Sequence, residues 1–176
     1  MKLSILGLAA PAAGKVLTYS QTSGGFHSPA RGWNSFGLQA NDVGANFTFN
    51  QDQVISQCDI LASNPQLKAS NYTYCSLDSG WSVGGNGDDN GRIIYDSPNF
   101  DIPKLADHLH SKGLKLGLYV VPGAFQADLD KTILGTSTKI KDVCSGDEGL
   151  ARCVFDYSRP EVQTWHNSVV AQFASW

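Results

Sequence analysis

The chain has 176 residues, with 13 lysines and arginines against 16 aspartates and glutamates, a formal net charge of −3 and an isoelectric point near 5.7. That balance offers no basic face to displace counterions, so neither nucleic acid nor an anionic membrane is expected as a partner. Apolar residues make up 41% and charged residues only 16%, with 18 glycines and a mean hydropathy of −0.19, a composition that excludes disorder as the dominant state.

The N-terminus reads as an export signal over residues 1–14. Met1-Lys2 is a positive start, Leu3 to Ala10 a short apolar run, and Pro11-Ala12-Ala13-Gly14 a small-residue cleavage region. The alternative is a short buried N-terminal element. Residues 15–176 then form the mature portion, whose sequence has no later apolar run of membrane-spanning length. Asn46-Phe47-Thr48 and Asn71-Tyr72-Thr73 fit the N-glycosylation pattern, in keeping with a secreted, extracellular protein. Four cysteines, Cys58, Cys75, Cys144 and Cys153, allow three pairings. Closeness in sequence favours Cys58 with Cys75 and Cys144 with Cys153, against buried free thiols. Their wide spacings contain no C-x-x-C pair, so no zinc site is expected.

Val16 to Pro29 is an aperiodic lead-in, and Arg31 to Phe36 is read as a first strand and its turn. Gln51 to Asn64 places Val54, Cys58 and Leu61 at i, i+4 and i+7, which predicts an amphipathic helix that Pro65 stops. Tyr72 to Asp78 is a predicted strand, and the glycine-rich Ser82 to Gly91 a predicted exposed loop. Ile102 to Lys112 is a predicted helix, with Pro103 in its first turn and Gly113 just past its end. Leu114 to Val121 is the strongest predicted strand. An irregular stretch follows, and Glu161 to Trp176 closes as a helix with Val162, Trp165, Val169, Val170 and Phe173 on one face. Strand and helix thus alternate, so the class is α/β with parallel strands joined by right-handed crossovers.

In such folds ligands bind at the C-terminal strand ends, where Trp33, Asn34, Asp78, Trp81 and Tyr119 gather. Asp78 beside Gly80 and Trp81 combines a fixed acceptor with aromatic surface, as sugar recognition requires; it equally suits the cap of a turn. Trp33 is open between core and platform. Asn86-x-Asp88-x-Asn90-Gly91 resembles the start of a calcium loop but lacks its later bidentate acid, Ser97 standing there. Neither a phosphate-binding glycine motif nor a G-x-S-x-G elbow is present. His27, His108, His110 and His166 are scattered, the middle pair on a helix whose exposed face suits them. No cofactor is expected.

Four blocks, Arg31-Gly32-Trp33-Asn34-Ser35-Phe36, Leu77-Asp78-Ser79-Gly80-Trp81, His110 to Tyr119 and Phe173-Ala174-Ser175-Trp176, resemble consecutive landmarks of the α-galactosidases of glycoside hydrolase family 27. The resemblance implies a retaining α-glycosidase on a (β/α)8 barrel, acting on terminal α-D-galactosyl residues. It implies a sugar pocket lined by Trp33, Asp78 and Tyr119, with Ser79 and Trp81 among the substrate-binding residues. A complete barrel takes about 250 residues, so the chain is expected to hold three of eight βα units, truncated before the fourth strand. The family's two catalytic aspartates follow later strands, and no catalytic residue is expected here. Many relatives carry paired aspartates where this chain has Asp78-Ser79, and the stretch from Gln126 to Cys153 is longer than expected of a plain α-galactosidase. Another α-linked sugar, such as an α-1,6-glucan, and a non-catalytic carbohydrate-binding protein therefore stand as alternatives. A flavodoxin-like module fits the element order but accounts for none of the blocks.

Overall fold

A computed structural model describes residues 29–41, 46–147 and 149–176. The expected signal segment, 1–14, lies outside the described residues. Three short parallel strands form one sheet in the order β1 (Gly32–Asn34), β2 (Tyr74–Leu77), β3 (Lys115–Leu118). The register pairs Trp33 with Cys75 and Asn34 with Ser76, then Cys75 with Leu116 and Leu77 with Leu118. A side chain on Gly117 would collide with Ser76 Oγ, so this glycine permits the close approach of β2 and β3.

Local chemistry accounts for the helices. After the short α1 (Phe36–Gln39), α2 (Gln51–Ser63) starts at Asn50, whose Oδ1 accepts from Gln53 N–H at 3.0 Å. It buries Val54, Cys58 and Leu61 as the spacing predicts. Asn64 ends α2 in extended geometry, the conformation favoured before a proline, and caps α3 (Pro65–Ala69) by accepting from Gln66 and Leu67. In α4 (Ile102–Ser111), Asp101 caps Lys104 N–H and the buried face is Ile102, Leu105, Ala106 and Leu109. His108 Nε2 lies 2.8 Å from Asp59 Oδ1, tying α4 to α2.

The Cys58–Cys75 disulfide fixes α2 to the central strand, and Cys144–Cys153 closes an antiparallel hairpin of β4 (Cys144–Asp147) and β5 (Cys153–Phe155). Both favoured pairings are formed, and the free-thiol alternative is overturned. The stretch from Gln126 to Cys153 has more order than its sequence suggests. Two 3-10 turns, Gln126–Asp128 and Ile140–Val143, lead into the hairpin. Helix α5 (Pro160–Ala174) covers it with Val162, Trp165 and Val169; Val170, expected on the same face, is 64% exposed. One core fills the space between the sheet, α2 and α4, and a second lies under α5. Phe173 packs against both.

One strand and one loop expectation are corrected. β3 ends at Leu118 rather than Val121, because Tyr119 and Val120 are exposed at the sheet edge and Pro122 has no N–H for a ladder. The loop after Trp81 is also not simply exposed, since Gly87 and Gly91 are buried against the Gln126–Asp128 turn.

Candidate active site

Asp78 and Tyr119 each follow the last residue of a strand, β2 and β3. Because Leu77 pairs with Leu118 and Tyr119 N–H donates to Leu77 O at 2.9 Å, the two stand side by side at the C-terminal edge of the sheet. Asp78 is half-buried and Tyr119 is 45% exposed. The Asp78 backbone is held from β1: its N–H donates to Ser35 Oγ at 2.8 Å, while Gln39 Nε2 donates to Ser79 O at 2.8 Å. Ser35 is fully buried and its hydroxyl also bonds Gln39 Oε1 at 2.5 Å. Asp78 Oδ1 accepts from Ser79 N–H at 2.8 Å, which is the turn-capping role; among the described residues Oδ2 has no hydrogen-bond partner. The carboxylate is therefore held by one oxygen with the other available to a ligand.

The tryptophans serve differently. Trp33 lies opposite Cys75, three positions before Asp78 in register, and packs against the core that contains Cys58 and Cys75. Trp81 is 1% exposed, edge-on to Phe173 and Trp176, with Nε1 donating to Tyr119 O at 2.7 Å. Trp81, expected among the substrate-binding residues, has its ring almost wholly inside the core and fixes the Tyr119 backbone through Nε1. A second exposed ring, besides Tyr119, is Phe36, 58% accessible, on α1 just after β1. Sequence reading passed over Phe36, Ser35 and Gln39, although two of them lie within the Trp33 block.

Next to Tyr119 lies a cavity of about 340 Å³, lined by Ser79, Gly80, Trp81, Ser82, Val83, Gly84, Ile93, Tyr119, Val120, Val121, Phe125 and Arg152. The loop that carries the lining residues Ser82, Val83 and Gly84 is braced further on by polar contacts. Asp128, wholly inaccessible, accepts from Gly87 N–H at 2.7 Å and pairs with Lys131 Nζ at 2.6 Å. Lys131 Nζ also donates to the carbonyls of Gly87 and Asp88. Asp88 receives the N–H groups of Asn90 and Arg92 on one oxygen and the Arg92 guanidinium on the other. Partial burial acts to raise the Asp88 pKa, but the Arg92 and Asn90 hydrogen bonds outweigh it and hold the carboxylate below its ordinary 3.8. The calcium-like motif is thus a loop brace, its acid occupied by arginine.

Arg152 is 7% exposed, its guanidinium 3.6 Å from the centre of the Phe125 ring, and Nη1 donates to Gly123 O at 3.0 Å. Burial lowers its pKa from the ordinary guanidinium value, against the opposing influence of Asp128 and Tyr119. Elsewhere, Asn46 and Asn71 are both exposed in positive-φ conformations of 43° and 57°. Among the described residues no cluster of His, Cys, Asp and Glu fit to hold a metal ion occurs, and no helix is long and apolar enough to cross a membrane.

The sequence profile of the family described as alpha galactosidase A matches residues 31–135. Alpha-galactosidase 3 of Hypocrea jecorina is 45% identical over 172 residues, covering 92% of this chain and 27% of its own length. The alpha-galactosidase of Cyamopsis tetragonoloba is 36% identical over 106 residues, covering 59% of this chain and 24% of itself. Among solved structures, a GH27 β-L-arabinopyranosidase from Geobacillus stearothermophilus gives a TM-score of 0.69 at 22% identity, over 84% of this chain and 38% of that one. The isomalto-dextranase of Arthrobacter globiformis T6 gives 0.60 at 24%, over 82% and 26%. The structural likeness establishes the fold, three successive βα units of the (β/α)8 barrel architecture. The chain spans about a quarter of the length of the two sequence relatives.

Proposed function

Since the chain belongs to the alpha galactosidase A family of glycoside hydrolases, we propose that the complete protein is a secreted, retaining α-glycosidase that removes terminal α-D-galactosyl residues. The observation that carries this is the pairing of Asp78, with one unengaged carboxylate oxygen, and the exposed Tyr119 at the C-terminal strand edge. A carboxylate there accepts from sugar hydroxyls, and the flanking rings of Tyr119 and Phe36 supply apolar surface for the pyranose faces. Ser35 and Gln39 are positioning residues: by bonding the backbone of Asp78 and Ser79 they fix the acceptor before substrate arrives.

Retention requires two carboxyl groups roughly 5 to 5.5 Å apart, one attacking the anomeric carbon and one protonating the leaving oxygen. We assign both to parts of the protein outside this chain, in line with the quarter of the relatives' length that it spans. The chain contributes the binding rim: Asp78, Ser79 and Tyr119, on the scaffold of Trp33 and Trp81. Export through residues 1–14 is supported by the sequence of that segment and by the two disulfides, which persist in oxidising compartments.

The test is hydrolysis by the complete protein of 4-nitrophenyl α-D-galactopyranoside, with isomaltose and the α-glucoside alongside, and the product anomer followed by NMR. Galactoside hydrolysis with retention is expected, and Asp78→Ala is expected to lower kcat/KM by about two orders of magnitude or more, since a polar sugar site is sensitive to each lost partner. Full activity in Asp78→Ala removes this residue from the site. Turnover of isomaltose in preference to the galactoside reassigns the substrate to an α-1,6-glucan, and sugar binding without turnover of any of the three makes the protein a lectin-like derivative of the barrel.

A further inference from the structure

The charged groups of the loops behind the cavity beside Tyr119 have partners of their own. Asp128 accepts from Gly87 N–H on Oδ2 and has Lys131 Nζ 2.6 Å from Oδ1, which receives no hydrogen bond among the described residues, and Asp88 is engaged by Arg92 and Asn90. Arg152 feels the field of Asp128 but makes no direct contact with its carboxylate among the described residues. It is 93% removed from solvent, and among the described residues it forms no ion pair and gives one hydrogen bond, Nη1 to the Gly123 carbonyl at 3.0 Å. A guanidinium carries five N–H donors. Leaving a buried charge unpaired is costly, and such groups are ordinarily paired with an anion and hydrogen-bonded. Phe125 under the ring of donors compensates only through its π face. Arg152 is also held rigidly: it lies opposite Phe125 in an isolated antiparallel bridge, and the neighbouring Cys153 is anchored by the hairpin disulfide.

We propose that Arg152 forms an anion subsite in this cavity, which receives a negatively charged sugar, a uronate carboxylate or a sulfate ester, adjoining the α-glycosyl unit held at Asp78 and Tyr119. The inference rests on the glycosidase reading given above. Ser79 and Tyr119 line both the sugar edge and the Arg152 cavity, so one oligosaccharide can span the two. The fork of the guanidinium matches a carboxylate in bidentate fashion, which lysine does not reproduce. The cavity's 340 Å³ lies within the range of small-molecule sites.

The experiment compares three substrates of the complete protein that differ in one group: α-D-galactopyranosyl-(1→4)-D-glucose, the same disaccharide ending in D-glucuronic acid, and its 6-sulfate. The expected result is a kcat/KM at least tenfold higher for one of the charged substrates, expressed chiefly in KM; which one identifies the anion. In Arg152→Met, which keeps the apolar stem, that preference ratio is expected to fall about tenfold to a hundredfold, the size of a charge-assisted hydrogen-bond pair. Arg152→Lys, expected to lose part of it, serves if the methionine variant does not fold. Equal or poorer use of both charged substrates by the wild type overturns the proposal, as does an unchanged ratio in a folded Arg152→Met. If the wild type hydrolyses none of the three, the hydrolase reading is decided by the 4-nitrophenyl galactoside, and calorimetry decides the subsite separately. Binding of methyl β-D-glucuronide or glucose 6-sulfate that is absent for methyl β-D-glucoside and lost in Arg152→Met upholds it, and no binding of either anion overturns it.

Discussion

Asp128 has no accessible surface, and its two oxygens hold a backbone N–H of one loop and a lysine of the next turn. Replacing it by alanine leaves the Gly87 N–H without its acceptor and removes the carboxylate from Lys131, which keeps the Gly87 and Asp88 carbonyls, at a cost of about 1–3 kcal/mol. Urea denaturation of Asp128→Ala is expected to show a loss in that range, with Asp128→Asn, which retains an acceptor for Gly87, losing less. Equal stability of both variants and the wild type rejects the brace. The adjacent carboxylate gives a pH dependence. Because the folded protein holds the Asp88 pKa below 3.8, its contribution is fully present above the unfolded value and is lost as pH falls through the folded one. Melting temperature is expected to drop below about pH 4, and less steeply in Asp88→Asn. None of these roles was legible in the sequence. Sixteen acidic residues look alike there, and which one is buried depends on tertiary contacts over some 40 positions, as between Gly87 and Asp128. The position of Asp78 at a strand end was legible because it closes a recognisable run of β-formers. Phe36 was not, since an apolar residue after a strand reads as core until its exposure is known.

Among the elements, α2 and α4 match their expected spans closely because their determinants are local: a capping Asn or Asp, a buried i, i+4, i+7 face, and a Pro or Gly at the boundary. The strands are shorter than expected, four residues or fewer each in the parallel sheet, because pairing depends on the partner's length rather than on the apolar run itself. The hairpin of β4 and β5 was missed because β4 is polar and glycine-bearing and β5 is only three residues long, so the disulfide and the bridge to Phe125 hold it in place. The Cys58–Cys75 bond joins α2 to β2 across 17 residues. Changing both cysteines to alanine is expected to cost about 3 kcal/mol in denaturant, the typical value for a loop of this size. A change under a few tenths of a kcal/mol would mean that packing of Val54 and Leu61 already fixes that contact.

At the scale of the whole molecule, the described sheet has two open edges. β1 and β3 each pair only with β2 among the described residues. Beside β3, Leu116, Leu118, Phe173 and Trp176 line a mostly apolar cavity of about 280 Å³, and Tyr119 and Val120 beyond it are 45% and 43% exposed. Unpaired backbone along an edge is a template for another strand, and apolar surface next to it adds a hydrophobic drive to the pairing. Barrel closure removes both, because each strand then gains a second neighbour and the groove is filled. Residues 1–176 produced alone are therefore expected to bind an apolar dye such as anilinonaphthalene sulfonate and to sediment as concentration-dependent oligomers, whereas a longer product that continues the parallel sheet past β3 stays monomeric and dark. A monomeric, dye-silent 176-residue product would mean that the edge of β3 is covered from within the chain, and the three βα units would then have to be regarded as a self-sufficient fold rather than as an arc of a barrel.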